Sequence, residues 1–164
     1  MKSVVRDCPQ RLTTGTGRPA GPASYAEQMG RAIHHVDLWV TDAGRAADEW
    51  GWLLGEAGWE VDVPGSSWVH PDGTYLFLER SADQVDEPHD RLRPGLNHLA
   101  VTVDTRGLLD RVRAESTAHG WHEMYADRYP HAGGDQHTAL YLENSEGFEV
   151  EVVLDAATVP GPTS

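Results

Sequence analysis

The chain has 164 residues and a net charge of −13, with one lysine (Lys2), twelve arginines and 26 acidic residues, a balance that argues against nucleic acid or an anionic membrane surface as partner. A hydrophobic content of 39% with six tryptophans provides for one folded domain with a real core. A single cysteine, Cys8, leaves no disulfide framework and no thiolate metal cluster, as expected of a cytoplasmic protein, and no run of about 18 apolar residues offers a membrane span.

The opening "MKSVVRDCPQ" lacks the apolar centre of a signal peptide. Residues 1–28 carry "TTGTGRPAGPAS", which has little to bury and is expected to form a flexible arm. The ordered domain is expected over 29–155, with a first unit at 29–81, a second at 94–155, and a flexible tail, "AATVPGPTS", at 156–164.

The first unit opens with "AIHHVDLWVTD" (32–42), a strand placing Ile33, His35, Asp37 and Trp39 on one face. Asp42 is a helix cap, and Ala46, Trp50, Leu53, Leu54 and Ala57 recur at helical spacing until Gly58 stops the helix before Trp59. "SSWVHPDGTYLFLE" then reads as two strands around the turn Pro71-Asp72-Gly73. Of the tryptophans, most belong to the core, while Trp39 shares the His35 face and Trp68 is a candidate pocket wall.

The second unit repeats this order. "GLNHLAVTVDT" (95–105) sets Leu96 on Ile33, His98 on His35, Leu99 on Val36 and Val103 on Val40, an offset of 63 residues. Asp104 or Thr105 caps a helix bearing Leu108, Leu109 and Val112, which ends at Gly120-Trp121. "RYPHAGGDQ" (128–136) is a loop. "HTALYLE" follows with His137, Ala139, Tyr141 and Glu143 on one face. In the last strand, "LENSEGFEVEVV", Phe148, Val150 and Val152 face one way and Glu149, Glu151 and Val153 the other. Setting Gly147 on Gly73 gives an offset of 74, so the chain reads as α+β, with two tandem βαβββ units.

A duplicated unit of this size, with "HHVDLWV", "LNHLAVTV" and "GFEVEV" at its key strands, resembles the vicinal oxygen chelate superfamily of glyoxalases, bleomycin resistance proteins and extradiol dioxygenases. The resemblance implies an incomplete barrel around one divalent metal ion, held by a histidine on the first strand of each unit and a glutamate on the last. Carried over, these are His35, His98 and Glu151. It also implies a homodimer in which His35 of one subunit shares a metal with His98 and Glu151 of the other.

A lone strand histidine is more often a core or surface residue than a ligand; the equivalence of His35 and His98 in the repeat is what raises these two. His34 is rejected because it pairs with Asn97, and Glu149 because the family's spacing from the turn glycine selects Glu151. Two imidazoles and a carboxylate suit Fe(II), Mn, Ni, Co or Zn alike and leave positions open for a small-molecule substrate. Phe77 falls opposite Glu151 in the repeat, where some relatives carry a fourth ligand, and Glu79 reads as a solvated strand end.

"LYLENSEGFEVE" partly matches the dioxygenase pattern of a tyrosine ten residues before the ligand glutamate, with Ser145 where the pattern has proline. Tyr141 is therefore a candidate proton donor or substrate-orienting group, and His137 a candidate acid or base, imidazoles being suited to proton exchange near neutral pH. The expected function is a mononuclear metalloenzyme acting on a small molecule with vicinal oxygens, dioxygenase-like or isomerase/lyase-like. The alternative is a metal-free protein that sequesters an aromatic antibiotic or natural product.

Overall fold

A computed structural model describes residues 32–85 and 87–155; the expected arm at 1–28 and tail at 156–164 lie outside them. Eight strands and two helices follow in the order expected: β1 (His35–Trp39), α1 (Ala43–Glu56), β2 (Glu60–Val63), β3 (Ser67–Val69) and β4 (Tyr75–Glu79), then β5 (His98–Val103), α2 (Arg106–Glu115), β6 (His122–Met124), β7 (Ala139–Glu143) and β8 (Glu149–Leu154). Short 3-10 turns occupy Ser116–His119 and Ala126–Arg128.

The helix boundaries have local causes. Asp42 accepts a hydrogen bond from the Arg45 amide and Thr105 from the Leu108 amide, each meeting an otherwise unpaired N–H of a first turn. Gly58 and Gly120 take left-handed φ values of 80° and 82°, a conformation glycine adopts without cost, and end the two helical stretches.

Each unit makes one four-stranded sheet, ordered β1-β4-β3-β2 and β5-β8-β7-β6, with the first pair parallel and the others antiparallel. The two sheets are separate and do not close into a barrel. Their registers are equivalent: Asp37 pairs with Phe77 in the first, and Ala100 with Glu151 in the second. Phe77 therefore occupies the place in unit one that Glu151 holds in unit two.

One core serves both units. Leu38, Val40, Leu53 and Leu76 join Val101, Leu109, Val150 and Val152, and the Trp50 and Trp121 rings meet edge to face at 5.3 Å, a favoured aromatic geometry. The Trp121 indole N–H donates to the Glu49 carbonyl over 2.9 Å. The Glu146 carboxylate accepts from the amides of Thr41 and Asp42 at 2.8 and 3.0 Å, binding the turn before β8 to the end of β1.

The expectation that Trp68 is a pocket wall is corrected. It pairs with Leu76 on the core side of its sheet, is 3% exposed, and leaves so little room that a Cβ on Gly51 would meet its ring at 3.0 Å. The opposite face of β1 exposes His35, Asp37 and Trp39, and that of β5 exposes His98, Ala100 and Thr102.

Candidate functional site

The open face of the second sheet carries two buried carboxylates, Glu149 and Glu151, which share a side because they lie two residues apart on β8. An acid is buried only where something meets its charge, and the two are met differently. Arg91, from the segment between the units, brings Nη1 to 2.8 Å from Glu149 Oε2, an ionic contact outside hydrogen-bond alignment. The same guanidinium lies 3.5 Å from Glu143.

Glu151 gathers the chemistry. The antiparallel register sets Tyr141 directly across from it, and the phenol donates to Oε1 over 2.6 Å. His137, just ahead of β7, donates from Nε2 to the same oxygen over 2.5 Å. Oε2 turns the other way, 3.4 Å from His98 Nε2. Burial would raise the Glu151 carboxyl, but the hydrogen bonds from Tyr141 and His137, with His137 and His98 as neighbouring imidazoles, outweigh it and hold the group below the usual carboxylate range. Burial and donation to Glu151 push the Tyr141 phenol the opposite way, so it keeps its proton far into alkaline solution.

Loop 128–136 closes on this cluster at Gly133. A Cβ there would lie 2.6 Å from His137 Cδ2 and 2.7 Å from the Tyr141 hydroxyl, so only a glycine lets the backbone approach so near.

Four of the five expected site residues, His98, Glu151, Tyr141 and His137, are thus together. His35 is apart from them: its ring stacks on Tyr75 with centroids 4.9 Å apart, and its Nδ1 lies 2.9 Å from that of His34. Among the described residues no three His, Cys, Asp or Glu side chains form a group able to hold a metal ion. The chemistry of the donors nevertheless suits one: an imidazole and a carboxylate with depressed pKa face each other in unit two, and a second imidazole stands on the open face of unit one. Glu79, at the end of β4, is partly exposed and raises the pKa of Asp37, after the larger effect of burial.

Sequence reasoning passed over Arg91 and Gly133. Nothing local marks Arg91, whose partners come from 52 and 58 residues further on, whereas the paired glycines of "AGGD" signalled a special backbone without saying what it touches.

A second feature is a cavity of about 490 Å³ between β1 and the connecting segment, lined among others by Asp37, Trp39, His89, Leu96 and Phe148. Among the described residues no helix is long and apolar enough to cross a membrane.

The family model for the glyoxalase/bleomycin resistance protein/dioxygenase superfamily matches residues 34–141. An uncharacterized protein of Bacillus subtilis (strain 168), YqjT, is 36% identical over 124 residues, which span 74% of this chain and 97% of that protein. The crystal structure of a candidate glyoxalase from Bacillus halodurans is similar with a TM-score of 0.67 and 34% identity, over 76% of this chain and 96% of that one. That of a glyoxalase/bleomycin resistance protein from Albidiferax ferrireducens T118 has a TM-score of 0.60 at 17% identity, over 76% and 99%, and speaks to the fold alone.

Proposed function

The chain belongs to the glyoxalase/bleomycin resistance protein/dioxygenase superfamily, and from that premise we propose that it is a mononuclear divalent-metal enzyme acting on a small molecule with vicinal oxygens. The observation that carries the proposal is the convergence of His98, Tyr141 and His137 on the two oxygens of one buried carboxylate, Glu151. His98 Nε2 and Glu151 Oε2 would hold the metal, with His35 as third donor.

A divalent ion bound there would act as a Lewis acid toward adjacent substrate oxygens. The remaining work falls to the chain. Tyr141, whose proton is held by burial and by Glu151, can orient a substrate oxygen or lend it a proton but cannot serve as a base at neutral pH. His137 presents Nε2–H to Glu151, so that nitrogen is occupied as a donor, and the ring is placed to pass a proton between Glu151 and a bound molecule. Loop 128–136 packs its backbone against His137 and Tyr141 at Gly133 and so holds both side chains beside Glu151.

The separation of His35 from the cluster supports a site shared in a homodimer, in which the open face of the first sheet in one copy meets that of the second sheet in the other. Elemental analysis of protein purified without chelators should find about one metal per chain, lost in His98→Ala and in His35→Ala. Mixing those two variants should restore one site in each mixed dimer, because one interface then carries both substitutions and the other neither. Iron would direct assays to ring cleavage with oxygen; nickel, zinc, manganese or cobalt to isomerase and lyase reactions.

A second reading, a metal-free protein that sequesters an aromatic compound, draws on the cavity beside Trp39, which is 47% exposed. No bound metal after reconstitution, together with fluorescence quenching of the tryptophans by aromatic compounds, would favour it.

A further inference from the structure

An imidazole binds a metal through a ring nitrogen that carries no proton, so the tautomer of His98 decides whether Nε2 can act. The chain fixes that tautomer. Asn97 Nδ2 donates to the Arg91 carbonyl over 3.1 Å, and because a carbonyl oxygen only accepts, the amide can have only one orientation. Its Oδ1 then faces His98 Nδ1 at 2.9 Å. Oδ1 also only accepts and is hydrogen-bonded to the ring, whereas the Glu151 carboxylate, 3.4 Å from Nε2, lies outside hydrogen-bond alignment, so in the neutral ring the proton sits on Nδ1 and Nε2 keeps its lone pair.

Arg91 is itself held, its guanidinium lying against Glu149 and Glu143. The connecting segment therefore reaches His98 through one residue: side chain to β7 and β8, carbonyl to Asn97, and Asn97 to the imidazole. In unit one His34 stands where unit two has Asn97, and its Nδ1 lies 2.9 Å from that of His35, a contact in which either ring can be the donor.

We propose that Asn97 is a positioning residue that locks His98 in the Nδ1–H tautomer and so presents Nε2 to the centre, a role that rests on reading His98 as a ligand. The test uses ¹⁵N NMR of the histidine rings in the full-length, metal-free protein, in parent, Asn97→Ala and Asn97→Asp forms, followed by zinc titration of each. Asn97 is exposed, so both variants should fold, as their amide spectra would show. The parent should carry the His98 proton on Nδ1. Asn97→Asp, which keeps the acceptor, should preserve that state, and Asn97→Ala should move the proton to Nε2 while the His137 signals stay in place.

Zinc affinity should fall about 10- to 100-fold in Asn97→Ala, the range typical of lost outer-shell partners, and much less in Asn97→Asp. A parent His98 protonated at Nε2, or a tautomer indifferent to Asn97→Ala, overturns the inference. Failure of the parent to bind zinc while the tautomer still follows residue 97 overturns the metal reading alone and leaves the link between Asn97 and His98 standing.

Discussion

Tyr141 and Glu151 face each other across the β7–β8 register, joined by a 2.6 Å hydrogen bond from phenol to carboxylate. Each group biases the other: the phenol holds its proton more tightly and the carboxyl less tightly than in a free chain. Because the folded carboxyl titrates below its ordinary 4.5, its contribution to stability is present above that pH and is lost as pH falls through the folded value. We expect Tyr141→Phe to lower neutral-pH stability by about 1.5 kcal/mol, the lower end for a hydrogen bond to a charged group. We also expect the acid loss of stability to be smaller than in the parent and to end at higher pH, because the folded carboxyl then titrates nearer its ordinary 4.5. Urea unfolding across pH 3–7 measures both; identical acid limbs would mean that Tyr141 does not support Glu151.

Gly133 makes a steric prediction. Its missing Cβ is the space that lets loop 128–136 rest on His137 and Tyr141. Gly133→Ala should cost about 1–3 kcal/mol by overpacking and should shift the ring resonances of both residues. Gly107→Ala is the matched control, since a Cβ there meets nothing within 4 Å on an exposed stretch of α2; it should be neutral or slightly stabilising.

Glu146 ties the units together. Replacing it with alanine removes the charged acceptor for the Thr41 and Asp42 amides, and a hydrogen bond to a charged group contributes about 1.5–3 kcal/mol. Glu146→Ala should therefore speed hydrogen exchange at those two amides well beyond its effect on amides within β7. Uniform acceleration across the chain would instead signal only general destabilisation.

What the sequence revealed depended on range. Local order was legible: the alternation in β8, the Asp42 and Thr105 caps and the stop glycines Gly58 and Gly120 are written in neighbouring residues, and the repeat correctly set His98 on His35 and Glu151 on Phe77. The site was legible where it follows strand pairing, as with Tyr141 and Glu151. It was not legible where it depends on the path of the connecting segment, which brings Arg91 to Glu149. Parity could not separate Glu149 from Glu151, whereas their partners do. Trp68 was misjudged because an aromatic on a short strand looks the same from sequence on either face; pairing with Leu76 puts it in the core.

Tyr129 anchors the same loop from its other end and carries a pH prediction. Its hydroxyl donates to Asp110 over 2.6 Å, and the Arg113 guanidinium lies over its ring at 4.1 Å. Burial, then the bond to Asp110, pushes the phenol up to about 12, while donation from Tyr129 and Arg106 draws the Asp110 carboxyl down. A raised phenol contributes stability that is complete below its ordinary 10.0 and vanishes as pH climbs through about 12. A depressed carboxyl contributes stability that is present above its ordinary 3.8 and vanishes as pH falls through the folded value. The cost of Tyr129→Phe should therefore be level between about pH 4 and pH 10 and shrink on both sides. In the parent's alkaline titration Tyr129 and Tyr141 should both ionise late, and each Tyr→Phe change should remove one late step. If Tyr129 holds the loop over the site, Tyr129→Phe should also accelerate amide exchange at Gly134, whose N–H donates to the His131 carbonyl within that loop. Exchange at Gly134 that matches the parent would leave Tyr129 as a surface contact of α2 with no hold on His137 or Tyr141.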